Sequence, residues 1–577
     1  MDKLQELKSN KQAPEWLTTE GYKTLENGYL LPGETPNDLY RRVSASAAKR
    51  LSKPELENKF YDYISKNWLC LATPVAANMG AERGLPISCY SNHVDDNTFN
   101  IFNSYTEMAM LIKHGGGIGT YWGDVRGRGA PIKGGGASEG IVPWLKITES
   151  IATGVAQSGT RRGAIASYLP IRHLDAAEFI DIRRQTGDMA RRCLSVNFHH
   201  GVIIDDQFMN EMLDGNVKNR ELWQAIIKAR VETGEPYIMF SDNANNHLPE
   251  AYVKNDLKVS TSNLCSEIFL HTDKDHTFVC CLSSLNLARY DEWKDSDLIE
   301  TAIYFLDAVM EEFIIKASNL SGFEKAVRFA IKSRALGLGV LGWHTYLQSK
   351  MVAFDSFEAM RLNAEIFKLI KEKSYAASRE LAKEYGEPEW CKGTGMRNTH
   401  TMAIAPTVSN SLISGGVSQG IEPIVANLFA QKSAKGTFIR KNPILEKYLE
   451  SIGKNTDEVW QQISLDSGSV KNVKGLSKDV KEVFLTAREL DQHAIIRQAG
   501  QRQKYIDQGQ SVNLFFSVPK DFKNEEEKKL LTKYIHDVHV SAWQSGLKSL
   551  YYSRIESALR GDLVYRSQES DCKACEA

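Results

Sequence analysis

Strand-like and helix-like pieces alternate from about residue 85 to about residue 550 of this 577-residue chain. That alternation limits the fold more than any other feature, and it predicts the α/β class. The length exceeds one small core. An α/β barrel can still hold several hundred residues as one domain. Residues 1–70, punctuated by Pro14, Pro32, Pro36 and Pro54, read as helices and connectors that pack ahead of the core. The pattern does not give the number of strands.

Within the alternation, helices are predicted over 143–156, 173–187, 205–233, 296–320, 321–336 and 355–385. Strands are predicted over 165–169, 193–198, 401–405 and 511–516. His199 and His200 end the strand at 193–198. Adjacent strand residues point apart, so the two histidines read as local and structural. The stretch up to 259 reads as a long ordered connection, and 425–510 as mainly helical. A formal G-x-G-x-x-G at 337–342 follows a helix-like stretch rather than a strand, so it reads as packing, not as a dinucleotide site.

Composition excludes several function classes. A formal net charge of -1 announces no general polyanion-binding surface. No apolar run approaches a membrane span, and the N-terminal residues lack a signal-peptide core. Nine cysteines are too few for a disulfide scaffold and read as reduced thiols in a cytoplasmic protein.

The placement of those cysteines carries the chemistry. Asn263, Cys265 and Glu267 are spaced by two, so in an extended segment an amide, a thiol and a carboxylate share one side. A carboxylate beside a thiol disfavours the thiolate, which argues against a hydrolytic cysteine and against zinc. Hydrogen-atom or redox chemistry on a polar substrate suits the set better. Cys280 and Cys281 follow on a second short segment.

Glycine and arginine cluster at 115–136 and again at 158–164. Glycine allows close backbone approach and arginine suits phosphate, so these read as anion-binding loops, with flexible turns as the competing reading. Pro406 stops the strand pattern at 401–405, and Thr407, Ser409 and Ser411 follow. They suit either a phosphate or a plain helix cap. Cys572 and Cys575, three apart near the C-terminus, could exchange a disulfide with a buried partner.

Taken in order, Cys89, Asn-Leu-Cys-Ser-Glu at 263–267, Cys280 ahead of Leu-Ser-Ser-Leu-Asn, Tyr551-Tyr552 and the terminal Cys-Lys-Ala-Cys form a specific set. The set resembles the large, catalytic alpha subunit of class I ribonucleotide reductase, over roughly residues 80–556 and the tail. The resemblance implies a ten-stranded α/β barrel of two five-stranded halves, with a central finger loop carrying Cys265. A mainly helical region (1–82) would precede a catalytic barrel (83–556) and a redox-active tail (557–577).

By that resemblance, Cys265 becomes a thiyl radical through Tyr551 and Tyr552 and removes the ribose 3′ hydrogen. Glu267 takes the 3′-hydroxyl proton and Asn263 orients the sugar. Cys89 and Cys280 supply two electrons, and Cys572 and Cys575 re-reduce them. Cys281 is packing. Ser88, Pro406, Thr407, Ser409, Ser411 and Arg161 match substrate-binding positions, and Asp96 and Arg126 match effector-binding ones.

The implied reaction turns ribonucleoside diphosphates into 2′-deoxyribonucleoside diphosphates under allosteric control. The effector would be a dNTP or ATP, with Mg2+. The implied partners are a radical-bearing small (beta) subunit, a second copy in a dimer, and thioredoxin or glutaredoxin. No nucleic acid, membrane, tightly bound cofactor or metal site is expected on this chain. The N-terminal residues lack the signature of an ATP-cone, so specificity control without an on/off site is expected. Two competing readings are a cobalamin-dependent reductase, against which the tyrosine pair argues, and a nucleotide-binding redox regulator without turnover.

Overall fold

The computed structural model describes residues 3–155, 163–433, 436–519 and 522–557. Its strands, in chain order, begin with β1 (Leu69–Leu71), β2 (Cys89–His93), β3 (Gly117–Tyr121), β4 (Ala164–Pro170) and β5 (Phe198–Ile204). β6 (Tyr237–Phe240), β7 (Phe278–Asn286), β8 (Leu336–Leu341), β9 (Leu428–Ser433) and β10 (Gly436–Lys441) follow. β11 (Leu514–Val518), β12 (Ser549–Leu550) and β13 (Ser553–Ser557) are the last.

β2, β3, β4, β5 and β6 pair in parallel in that order, forming one half-barrel. The other half starts with β7 and β8, also parallel. It continues through two extended segments held by single parallel bridges, Leu338 to Met402 and Ile404 to Gln510. β12 completes it: Tyr551 N–H donates to Val512 O at 2.9 Å. The halves meet antiparallel at both seams, β2 with β7 and β6 with β12. The expected barrel of two five-membered halves is therefore present, with eight regular strands and two members too irregular to ladder. β1 lies outside the ring, antiparallel to β7.

Strands covered on both faces read as continuous apolar runs rather than alternating ones. β5 and β8 are buried at every position. This is why their sequences resist a period-2 reading. β5 starts at Phe198, so His199 and His200 open the strand instead of ending one at 193–198. The long connection before 259 contains β6, and the G-x-G-x-x-G run lies in β8. The helix expected over 173–187 shrinks to Ala176–Ile180, and the mainly helical 425–510 contains the β9–β10 hairpin. Helices around 443–484 bury their own apolar cluster, centred on Leu445, Trp460, Ile463 and Phe484.

The helical N-terminal region is as expected. Its helix Pro36–Arg50 starts with a reciprocal capping box between Thr35 and Asp38 and has Pro36 in its first turn. Glu312, buried on the helix Leu298–Ala317, accepts from Gly80 N–H at 2.7 Å and from Ser46, which fixes that region to the barrel. Among the described residues no helix is long and apolar enough to cross a membrane.

A second buried charge sits on the same helix. Asp307 receives both Nε (2.8 Å) and Nη2 (3.0 Å) of Arg334, and Asn398 Nδ2 at 3.0 Å. Burial opposes its ionisation, but Arg334 wins and holds the carboxyl below its usual range. Removing one member of such a pair strands the other charge. Asp307→Ala is expected to lower unfolding stability by about 3–5 kcal/mol. Denaturant titration of Asp307→Ala against Asp307→Leu/Arg334→Met checks this, and the double variant is expected to recover most of the loss.

Candidate active site

No helix or strand is formed between residues 257 and 277. This stretch enters the barrel, and both halves hold it. From the first half, Tyr168 Oη donates to Asn263 O at 2.7 Å. From the second, Gly509 N–H donates to Glu267 O (2.9 Å), Ser511 Oγ to Cys265 O (2.6 Å) and Ser549 Oγ to Ser266 O (2.6 Å). Room for the loop comes from glycine. A Cβ on Gly119 of β3 would lie 1.8 Å from Ser262 O.

The tip is a turn, not the extended segment predicted from the spacing. Asn263 Oδ1 accepts the N–H groups of Glu267 and Ile268, each at 3.1 Å, and Ser266 takes φ 61°. Asparagine side chains bond their own downstream backbone in this way. The turn keeps the amide, thiol and carboxylate together at the barrel centre: Asn263 and Glu267 are 1% exposed and Cys265 is 7%. Ser511 Oγ reaches Glu267 Oε2 at 3.4 Å. The Nδ2 of Asn263 is buried with no partner among the described residues. A buried amide donor normally has a partner, so this one suits a ligand acceptor.

Cys89 and Cys280 stand directly opposite each other across the β2–β7 seam. Residues so paired have Cα atoms about 4.5–5.5 Å apart, within the range a disulfide spans. The fold thus brings together two thiols 191 positions apart in sequence. Burial pushes the Cys280 thiol well up, and Cys89 and Glu267 push it further. Against them, Gln508 Nε2 donates to Cys280 Sγ at 3.3 Å, which favours the thiolate. Cys281 faces elsewhere, with Sγ 3.4 Å from Leu306 O.

Tyr551 and Tyr552 are in ring contact, centroids 4.3 Å apart. Tyr237 of β6 closes an aromatic triangle with them, at 4.7 Å from Tyr551 and 5.0 Å from Tyr552.

Family models match nearly the whole chain: "Ribonucleotide reductase, all-alpha domain" over residues 15–84 and "Ribonucleotide reductase, barrel domain" over 87–217, 210–394 and 388–553. The chain belongs to the ribonucleotide reductase large-subunit family. It is 39% identical to a putative ribonucleoside-diphosphate reductase large subunit of Frog virus 3, covering 91% of this chain and 93% of that one. The alpha subunit of Chlamydia pneumoniae ribonucleoside-diphosphate reductase is 30% identical, covering 93% of this chain and 58% of its own. Among solved structures, the class Id ribonucleotide reductase alpha subunit of Actinobacillus ureae superposes with TM-score 0.84 at 40% identity, covering 94% of this chain and 98% of that one.

The remaining candidate positions of this reductase subunit lie outside the strands, Ser409 and Ser411 on the short helix Val408–Ile413. After buried Pro406, Thr407 takes φ 57° and its Oγ1 accepts Gly420 N–H at 2.8 Å. Ser411 Oγ donates to Val408 O at 2.9 Å, and Ser409 is half-buried. Ser88 is buried, and its carbonyl accepts Gly117 N–H at 2.7 Å. Asp96 and Arg126 meet directly, Oδ2 to Nε 2.7 Å. The loop after Arg126 is tied at its base by Asp175, which accepts Arg128 and Ile141 N–H at 2.8 Å each. Arg161, Cys572 and Cys575 lie outside the described residues.

Sequence reasoning missed Tyr168, Tyr237, Gln508 and Ser511, all of which touch the finger, the thiol pair or the tyrosines. Each is a lone polar residue whose role depends on a barrel partner far along the chain. Among the described residues two groups could hold a metal ion, His271/Asp273/His276 and His93/Asp95/Asp124. Neither includes Asn263, Cys265 or Glu267.

Proposed function

We propose that this chain reduces ribonucleoside diphosphates to 2′-deoxyribonucleoside diphosphates by radical chemistry at Cys265. One observation carries the reading. A thiol, a carboxylate and an unpartnered amide donor share one buried turn inside a closed barrel whose seam holds a facing thiol pair. A reactive radical needs such exclusion of water. The named relatives act on diphosphates, which favours that substrate over triphosphates.

In this reading the radical starts on a separate small subunit and travels through Tyr552 and Tyr551. The Cys265 thiyl removes the ribose 3′ hydrogen, and Glu267 takes the 3′-hydroxyl proton. Asn263 Nδ2 holds a sugar hydroxyl. The 2′-hydroxyl leaves as water with a proton from the thiol pair. Cys89 and Cys280 give two electrons and join as a disulfide. Exchange with Cys572 and Cys575 breaks that disulfide, and thioredoxin or glutaredoxin reduces the tail. Each turnover then returns the hydrogen to C3′ and restores the thiyl.

Thr407, Ser409 and Ser411 bind the substrate phosphates in this proposal, Ser88 and Pro406 also line the substrate site, and Arg161 approaches its base. Asp96 and Arg126 bind a dNTP or ATP effector with Mg2+. Phe99 and Phe102, 73% and 52% exposed on the helix Thr98–Lys113, supply an apolar face for a dimer.

The test uses the full chain with its cognate radical-loaded small subunit, cytidine diphosphate, Mg2+, ATP and dithiothreitol. Deoxycytidine diphosphate is the expected product. Its absence, with the partner's radical verified, overturns the reading.

A further inference from the structure

His199 and His200 have no part in the reaction as proposed, yet the fold gives them a shared partner. Adjacent on β5, they bring Nδ1 to the two oxygens of one carboxylate: His199 to Glu235 Oε1 at 2.7 Å, His200 to Glu235 Oε2 at 3.1 Å. All three side chains are 3% exposed or less. Arg183 Nε lies 3.5 Å from Glu235 Oε2. Burial opposes the charge on Glu235, but Arg183 and His199 outweigh it and hold the carboxyl well below its usual range. A buried carboxylate accepts and cannot donate. Nδ1 of His199 must therefore carry the proton it gives to Glu235. Its Nε2, buried with no partner among the described residues, fits the unprotonated nitrogen of that tautomer.

The same Nδ1 lies 3.3 Å from Tyr552 Oη. The His199 ring also stacks on Tyr237 at 16° and meets Tyr552 edge-on, with centroids 6.0 Å apart. We propose that His199, fixed in one tautomer by Glu235, is a positioning residue for Tyr552, sharing its Nδ1–H with the phenol oxygen. The inference rests on the proposed radical route through Tyr552. A donated hydrogen bond stabilises the phenolate over the phenol, so the pair lowers the cost of removing the Tyr552 proton when that residue is oxidised. It also selects one orientation of the hydroxyl, as a carboxylate does for a metal-bound histidine through its other nitrogen.

Other charged and titratable groups face Tyr552. The Arg554 guanidinium sits over its ring at 4.4 Å. Asn513 Oδ1 accepts Tyr552 N–H, and Asn513 Nδ2 binds Glu422, whose carboxyl burial raises to about 7. Tyr551 and Tyr237 also pack against it. A test must leave all of these in place and change the donor alone.

Asparagine and leucine meet that need, because they match in shape and Asn Nδ2 falls where His Nδ1 was. The full chain is made with 3-nitrotyrosine at position 552, whose phenolate absorbs visible light. The phenol is titrated optically with native His199, with His199→Leu and with His199→Asn. His199→Leu is expected to raise the phenol pKa by about one unit or more, the worth of a hydrogen bond to a charged group. His199→Asn is expected to return most of that shift. Equal titration of the Leu and Asn variants overturns the proposal. If His199→Leu does not fold beside the buried carboxylate, the same two variants are compared in a Glu235→Leu background. This readout needs no turnover, so it stands apart from the product assay that tests the radical reading.

Discussion

Cys265→Ala is expected to yield no deoxycytidine diphosphate under conditions where the native chain turns over. The substitution removes only the sulfur. The finger is held through backbone atoms, among them the Cys265 carbonyl that accepts Ser511 Oγ, and alanine keeps them. Substrate and effector affinity should therefore stay at native values, and the loss should appear entirely in kcat. In the proposed reaction no neighbouring side chain substitutes, because Cys89 and Cys280, which face each other at the seam, serve there as the two-electron source. Product assay and equilibrium binding of cytidine diphosphate are run together. Product from Cys265→Ala would remove this thiol from the central role, whereas loss of binding would mean that the finger had collapsed.

The α/β class, the helical N-terminal region and the motif positions were legible because each rests on local pattern or on neighbours in sequence. Barrel membership was less so. β6 has four residues and hides in a stretch rich in Asn and Pro, and two ring members never form a ladder. Their apolar runs look alike whether they end as strands or as buried turns. At the site, the spacing of Asn263, Cys265 and Glu267 was visible, but its geometry was not. The sequence spacing suited an extended segment, while the Asn263 side chain bends it into a turn. The Cys89–Cys280 register likewise needs the antiparallel seam, which no local signal reports. His199 and His200 show the limit most clearly. Pointing apart on a strand, they read only as local and structural, yet Glu235 is placed to meet both.

Gly119→Ala should damage the enzyme almost as much as loss of the thiol, and for a purely steric reason. Gly119 does not take a positive φ, so alanine meets no backbone strain there. The added Cβ would instead lie 1.8 Å from Ser262 O and 2.9 Å from Ser262 C. Both are backbone atoms of the finger, with no flexible side chain to yield. The barrel strand is held on both edges by β2 and β4, so the finger has to move. A move of order 1 Å displaces Cys265 and Glu267 together and breaks the bonds from Tyr168, Ser511 and Ser549. Misplacement by about 1 Å can cost about 100-fold in rate. Gly154→Ala is the matched control, since a Cβ there meets nothing within 4 Å and the residue ends a helix. The expected result is a kcat for Gly119→Ala lower by about 100-fold or more, with effector binding close to that of Gly154→Ala. Equal activity in the two variants would mean that the finger does not thread the barrel beside β3, and the geometry of the candidate site would fall with it.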